Sequence, residues 1–359
     1  MKVLILVHSS ESRKKMKSSR VIVLFLFLSI SAQSYSQNRA EKYSVLFYNV
    51  ENLFDVENDP ETQDEEFTPE GDRHWTYNRF NQKLLNISKV ILNAAGWDPP
   101  QMIGLCEVEN RFVLERLLAD TPLKNYPYKI IHKESPDERG IDVAFLYNEE
   151  IFYPLEYQYY PLKNHQDSVL ETREILFVSG IVDETDTLHF FINHWPSRYG
   201  GLLETQSLRN LAAKTLRGLC SQKLQDNRNA KIIIMGDFND QPGDESIAEY
   251  LKAVDYSENV TGEDVVNLSV NWGETGWGTI KYRSQWSVFD QIIVSGTLLK
   301  NRNGIVTRPD LAEMVNLPFL LEADERYGGR KINRTYVGYS YNGGFSDHLP
   351  ILLRLKSNR

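Results

Sequence analysis

The sequence predicts an α/β protein, on two observations. Strand-like and helix-like segments alternate along the chain, with apolar residues recurring at helical spacing in two long stretches. Several short, continuous apolar runs end abruptly in Asn, Asp, Glu or His, the pattern of buried strands that deliver polar side chains to a rim.

Taken in order, residues 43–50 (YSVLFYNV) read as a strand, and the acidic, turn-rich stretch 55–74 as a solvated loop. Phe80, Leu84, Ile87, Val90, Ile91 and Ala94 line one face of a helix that Gly96 stops. Residues 102–108, 141–147 and 188–194 read as strands. Leu208, Leu211, Ala212, Thr215, Leu216 and Leu219 mark a second long helix. Residues 231–236, 289–294 and 349–355 supply further strands. The stretches 255–285 and 300–345 read as long loops, the usual carriers of functional rims. No repeat or Pro/Ser-rich linker interrupts the chain, so a single domain is expected.

Composition narrows the class. With 41% hydrophobic and 25% charged residues, the chain is neither a disordered tail nor a multi-span membrane protein. Cys106 and Cys220 cannot build a disulfide framework and form no CxxC pair; two buried thiols are expected. Residues 16–36 run from a basic stretch through a ten-residue apolar segment (VIVLFLFLSI) to small residues before Gln37, so residues 1–36 read as a signal peptide, with Met16 as a candidate start. The apolar run is short for a membrane span, which weighs against an uncleaved anchor. A secreted or periplasmic product is expected, with no transmembrane segment after the leader. Removing the six basic residues and one acid of residues 1–36 from 40 basic and 49 acidic residues leaves 34 against 48, a net charge of −14. Such a chain does not coat a polyanion by bulk attraction. Any polyanion is held locally, by a few Arg or Lys or by a bound cation.

The polar strand ends form a coherent chemical set. Asn49 and Glu51 follow the first strand, Glu107 the second, His194 closes a third, and Asp237 and Asn239 follow a fourth. Asp290 opens a later strand, and Asp347 and His348 precede the last. Carboxylates with an Asn carbonyl are hard oxygen ligands suited to Mg2+, with Mn2+ or Ca2+ as alternatives. A His beside a carboxylate is held ready to take a proton from water.

In the order NVEN (49–52), EVEN (107–110), RGIDVA (139–144), NHWPS (193–197), GDFND (236–240), FDQI (289–292) and SDHLP (346–350), the sequence resembles the endonuclease/exonuclease/phosphatase superfamily, in its deoxyribonuclease and neutral sphingomyelinase branch. The resemblance runs from about residue 43 to 355. It implies a four-layer α/β sandwich of two packed mixed sheets flanked by helices, in one domain over residues 37–359. It implies Glu107 as the principal metal carboxylate, with Asn49, Glu51 and Asp347 beside it. It implies His348 as general base, Asp290 as its orienting carboxylate, Asp237 and Asn239 as the pair that positions nucleophile and phosphate, and His194 as a second catalytic histidine. Apurinic endonucleases carry a different residue at the position of His194, so abasic-site repair is disfavoured.

Each residue has a plainer reading. Asp290 alone is an ordinary strand or turn cap, and Asn239 an ordinary turn former. Asn52 and Asn110 read as residues that pin loops. Arg139 either grips a phosphate or pairs with Asp142 or an acidic loop. Arg334, Tyr282 and Trp286 are candidate substrate contacts, with loop packing as the alternative. The expected activity is metal-dependent hydrolysis of a phosphate ester, with nucleic acid first as substrate and no stable protein partner implied. The alternatives are phospholipid, nucleotide or sugar-phosphate hydrolysis, and a non-catalytic binding module on the same fold.

Overall fold

Along strand β1 (Glu41–Leu53), Val45 and Phe47 face one apolar cluster while Leu46, Tyr48 and Val50 face another. That two-residue alternation, apolar on both faces, is what a strand buried between layers requires. The computed structural model describes residues 41–182, 186–301 and 303–358. The expected signal peptide, residues 1–36, lies outside the described residues. Residues Tyr43–Arg359 form one compact unit.

Two seven-stranded sheets form its centre. The first orders β14 (Gly304–Val306), β20 (Ile351–Asn358), β1, β2 (Met102–Val108), β4 (Asp142–Asn148) and β3 (Tyr128–His132), with β15 (Ala312–Met314) also paired to β20. The second orders β5 (Phe152–Tyr160), β6 (Ile175–Val182), β7 (Asp186–His194), β8 (Lys231–Asp237), β13 (Asp290–Ser295), β10 (Val265–Asn267) and β9 (Val254–Asp255). Both sheets are mixed: β1 runs parallel to β2 and β7 parallel to β8, whereas β2–β4 and β8–β13 are antiparallel.

Three apolar clusters follow from the alternation. Val45, Phe47, Cys106 and Phe145 of the first sheet meet Phe190, Ile192, Met235 and Ile292 of the second. On the outer face of the first sheet, Ile103, Leu105 and Leu146 pack under helix α1 (Tyr77–Ala94) and helix α2 (Arg111–Ala119). On the outer face of the second, Phe191, Ile232 and Ile234 pack against helix α3 (Leu202–Asp226). The order helix, sheet, sheet, helix is the four-layer α/β sandwich expected. Each fully buried Leu, Ile or Phe contributes roughly 1.5–3 kcal/mol. Both cysteines are buried and unbridged, as expected.

Differences from the sequence reading have physical causes. β5 was not anticipated because it is an edge strand: Tyr153, Leu155 and Tyr157 are exposed, and Pro154 removes a ladder donor without harm there. β3, β6 and α2 were also unanticipated; α2 begins at Asn110, whose side chain accepts the Val113 N–H. The two expected long loops contain short ribbons instead: β11 (Ile280–Tyr282) with β12 (Gln285–Ser287), β16 (Leu321–Ala323) with β17 (Arg330–Ile332), and β18 (Tyr336–Val337) with β19 (Ser340–Tyr341). Among the described residues, no helix is long and apolar enough to cross a membrane.

Candidate active site

Strand register assembles the site. In the second sheet, His194 at the end of β7 pairs with Asp237 at the end of β8, and Asp237 pairs with Asp290 at the start of β13. Three functional side chains thus stand on three adjacent strands. Gly236 permits this approach: a Cβ there would lie 2.5 Å from the Asn193 carbonyl oxygen. In the first sheet, the register of β1 against β2 shifts between Asn49 and Leu53, and that of β2 against β4 between Cys106 and Val108. Such irregularities re-aim side chains at a sheet rim. Glu51, Asn52, Glu107 and Asn239 all take left-handed backbone angles, with φ between 50° and 61°. Non-glycine residues in that region cluster at functional sites, where surrounding contacts hold them.

The two sheets meet through a hydrogen bond. His348 Nδ1 lies 2.7 Å from Asp290 Oδ2, with both side chains buried. The His348 N–H donates to Ser346 Oγ, and Ser346 Oγ donates to the Asn49 carbonyl. On the other side, Thr279 Oγ1 accepts the N–H groups of Phe289 and Asp290, and its carbonyl accepts the Leu349 N–H. Nε2 of His348 is 3.7 Å, and Nε2 of His194 3.8 Å, from the same Asp237 oxygen, Oδ2. His194 Nε2 is also 3.8 Å from Glu107 Oε1. The Asp237 carboxylate is anchored by the Asn239 N–H at 2.9 Å and the Asn49 amino group at 3.1 Å.

Asn49 holds carboxylates. Its side-chain oxygen accepts the Glu51 N–H, which turns its side-chain NH2 toward Glu107 Oε1 and Asp237 Oδ2. Glu107 Oε2 accepts the Asn52 N–H. Glu51 is tied by Arg334 on one oxygen and by the Thr335 N–H on the other. Arg334 also reaches Asp347 Oδ2 at 2.8 Å, and Asp347 Oδ1 stands 4.0 Å from His348 Nε2. Arg139 donates to the Asn52 side-chain oxygen, while Asp142 is engaged by His132 and Ser135. The structure therefore does not pair Arg139 with Asp142. Asn110 pins its loop, capping α2 and donating to Asp55. Tyr282 is 71% exposed on the β11–β12 hairpin, and Trp286 packs on Trp277. Among the described residues, no hydrogen bond or ring contact joins either to the other candidates.

Charge is unevenly settled. Burial pushes the Asp237 carboxyl up to about 7, with Asp290 and Glu107 adding to it and His348 opposing. Burial alone would depress the His348 imidazole, but Asp290 and Asp237 overcome it and hold it well above the usual range. His194 is driven the opposite way, by burial first and then by Arg173, Arg139 and His348, and it stays neutral. Its 3.8 Å approaches to carboxylates are therefore not ion pairs. Burial raises Glu51, helped by Asp347. Burial would also raise Asp347, but Arg334 and His348 lower it.

Three supporting residues were missed in the sequence. Lys83 is buried and donates to Thr335 Oγ1 and to the Phe345 carbonyl; burial lowers its amine to about 8. Its signal was legible, because position 83 shares the apolar face of α1 with Phe80 and Ile87. Arg173 donates to Asp137 and to the Trp195 carbonyl, which also accepts from Asn239. Thr279 carried no signal.

The donor set suits a hard divalent cation. Glu107, Asp237, Asp290, Asp347 and Glu51 gather here, and the buried Asp290 Oδ1 has no hydrogen-bond partner among the described residues. Asp237, Asp290 and His348 offer one ligand atom each, all within 4.8 Å of one another.

Comparison with known proteins agrees with this fold. Three solved structures share the fold. A mannosyl-6-phosphatase from Bacteroides thetaiotaomicron is 15% identical, with a TM-score of 0.54, over 88% of this chain and 99% of its own. The human nocturnin catalytic domain with bound sulfate is 13% identical, with a TM-score of 0.53, over 87% and 93%. TDP2 from D. rerio, complexed with a single-strand DNA product, is 15% identical, with a TM-score of 0.51, over 88% and 99%. No curated protein matches the chain. Residues 44–357 match the endonuclease/exonuclease/phosphatase family, and the chain belongs to that family of phosphate-ester hydrolases.

Proposed function

We propose that this chain is a secreted or periplasmic, divalent-metal-dependent phosphodiesterase that cleaves nucleic-acid phosphodiesters by attack of water. The observation that carries the reading is the convergence of Nε2 of His348 and Nε2 of His194 on Asp237 Oδ2, at 3.7 and 3.8 Å. Two imidazoles of opposite proton affinity then flank one point. His348, oriented by Asp290, takes the proton of the attacking water, and its deprotonated fraction grows with pH. Asp237 and Asn239 hold water and phosphorus in line. The water oxygen bonds to phosphorus as the bond to the leaving oxygen breaks, and that oxygen takes up a proton. His194, held neutral, donates a hydrogen bond to a phosphoryl oxygen as charge develops. Glu107 and Asp347 would hold Mg2+, with Mn2+ or Ca2+ as alternatives, and Asn49 and Glu51 would keep them in place. When bound, the cation withdraws charge from the phosphoryl oxygens. The basic and then apolar run of residues 16–36 supports the export reading.

The second reading is hydrolysis of a small sugar phosphate. It is favoured by a small, basic pocket of about 200 Å³ beside the site. Supercoiled-plasmid nicking in Mg2+ or Mn2+, with chelator and His348→Ala controls, tests the first reading. Chelator-sensitive nicking that the variant lacks is expected. A folded wild-type chain that leaves the plasmid intact, yet releases phosphate from sugar phosphates, would move the assignment to the second.

A further inference from the structure

The pocket that supports the sugar-phosphate reading is bordered by the site on one side only. Arg334 and Asp347 form the shared wall, and the rest comes from the β11–β12 hairpin, the ribbon of β16 and β17, and Val337 of β18. Its volume falls below the roughly 300–1,000 Å³ of sites that engulf a whole ligand. It fits one group of a substrate whose remainder lies elsewhere.

Its charge is opposite to that of the chain. Lys281, Arg283, Arg326, Lys331 and Arg334 line it, against Asp324 and Asp347. Three of these cations have carboxylate partners: Lys281 donates to Asp324 at 2.7 Å, Lys331 lies 3.1 Å from Glu322, and Arg334 bridges Glu51 and Asp347. Arg283 and Arg326 have none among the described residues. Their guanidinium groups lie 5.2 and 5.3 Å from the ring centroids of Tyr282 and Tyr327. Arg283 also takes φ 55° at the first position of a two-residue hairpin turn. Gly or Asn normally fills such a position. A long cation is thus presented there against backbone preference.

We propose that this pocket is a subsite for a second phosphate of the substrate, held by Arg283 and Arg326 while the first phosphate is hydrolysed beside His348. The proposal rests on the phosphoester-hydrolase reading of the neighbouring site. The bidentate geometry of guanidinium suits a phosphate, and the local cations supply the attraction that a net acidic chain does not. The second phosphate is either the next one along a nucleic-acid strand or one borne by a small bisphosphorylated sugar.

Matched substrates separate these sources. One pair is thymidine 5′-(p-nitrophenyl phosphate) with and without a 3′-phosphate; the other is glucose 1,6-bisphosphate and glucose 1-phosphate. In the wild-type chain, the second phosphate is expected to lower KM about tenfold or more in one pair, and that pair names the source. Combining Arg283→Asn, which tolerates the left-handed turn, with Arg326→Ser is expected to abolish the preference and leave kcat on the singly phosphorylated partner unchanged. A wild-type chain indifferent to the second phosphate in both pairs, or a double variant that keeps the preference, overturns the subsite. Turnover of none of the four by a folded chain would sink the hydrolase reading instead. Calorimetric binding of inorganic phosphate then decides the pocket: affinity lost in the double variant supports it, and equal affinity overturns it.

Discussion

His348 Nδ1 and Asp290 Oδ2 lie 2.7 Å apart, and the pair joins the two sheets: Asp290 opens β13 in the second, and His348 stands three residues before β20 in the first. Asp290→Asn keeps the shape and removes the charge. It is expected to lower kcat about 10²–10⁴-fold. It also lowers the proton affinity of His348, which NMR titration of the imidazole reads directly. An unchanged titration would separate Asp290 from the base.

Cation binding should couple to folding through Glu107. Adding Mg2+ or Mn2+ at about 100 times its dissociation constant is expected to stabilise the chain by about 2.7 kcal/mol, seen as a rise in Tm. Glu107→Gln is expected to lose that rise. A rise of equal size in the variant would place the cation elsewhere.

Gly236→Ala is expected to destabilise the chain by about 1–3 kcal/mol, because the added Cβ meets the Asn193 carbonyl oxygen at 2.5 Å. Activity should fall further than stability, since Asp237 follows directly in the same strand. Urea unfolding and turnover measured together check both parts.

Lys83→Met removes a buried amine that faces Glu51 and Asp347. The Thr335 hydroxyl and the Phe345 carbonyl lose their donor. A loss of about 1–3 kcal/mol is expected from urea unfolding. A variant as stable as the wild type would mean that the buried cation and the two acids do not depend on each other.

His189 reports on acid stability away from the site. Burial, with Lys223 as a lesser cause, lowers its imidazole to about 4, below the ordinary 6.5. A depressed base is neutral in the fold and takes up a proton more readily when unfolded. Its contribution is fully present above pH 6.5 and is lost as pH falls toward 4. His189→Phe, stacked on Phe177, should flatten the pH dependence of the urea midpoint over that window. A profile of unchanged slope would assign the acid sensitivity to other groups.

Much of this arrangement was legible in the sequence, for reasons visible in particular residues. β2 and β8 are continuous apolar runs that end in charged residues, so their limits and the rim positions of Glu107 and Asp237 could be read directly. β5 could not, because an exposed edge strand has no apolar alternation to reveal it. The sequence reads Asn49 as an oxygen donor to metal; in the fold its side-chain oxygen accepts the Glu51 N–H and its side-chain NH2 faces Glu107 and Asp237. Such an orientation depends on a backbone turn, not on residue type. Thr279 and Arg173 act through contacts across more than ten residues of sequence, which local pattern does not encode.

The left-handed residues at the rim bear on how this protein would drift in the laboratory. Glycine at Glu51, Asn52, Glu107 or Asn239 would relieve the backbone at little steric cost. At Glu107 and Asn239, which the proposed chemistry uses, sorting for thermal survival and sorting for turnover would therefore pull the same codon in opposite directions.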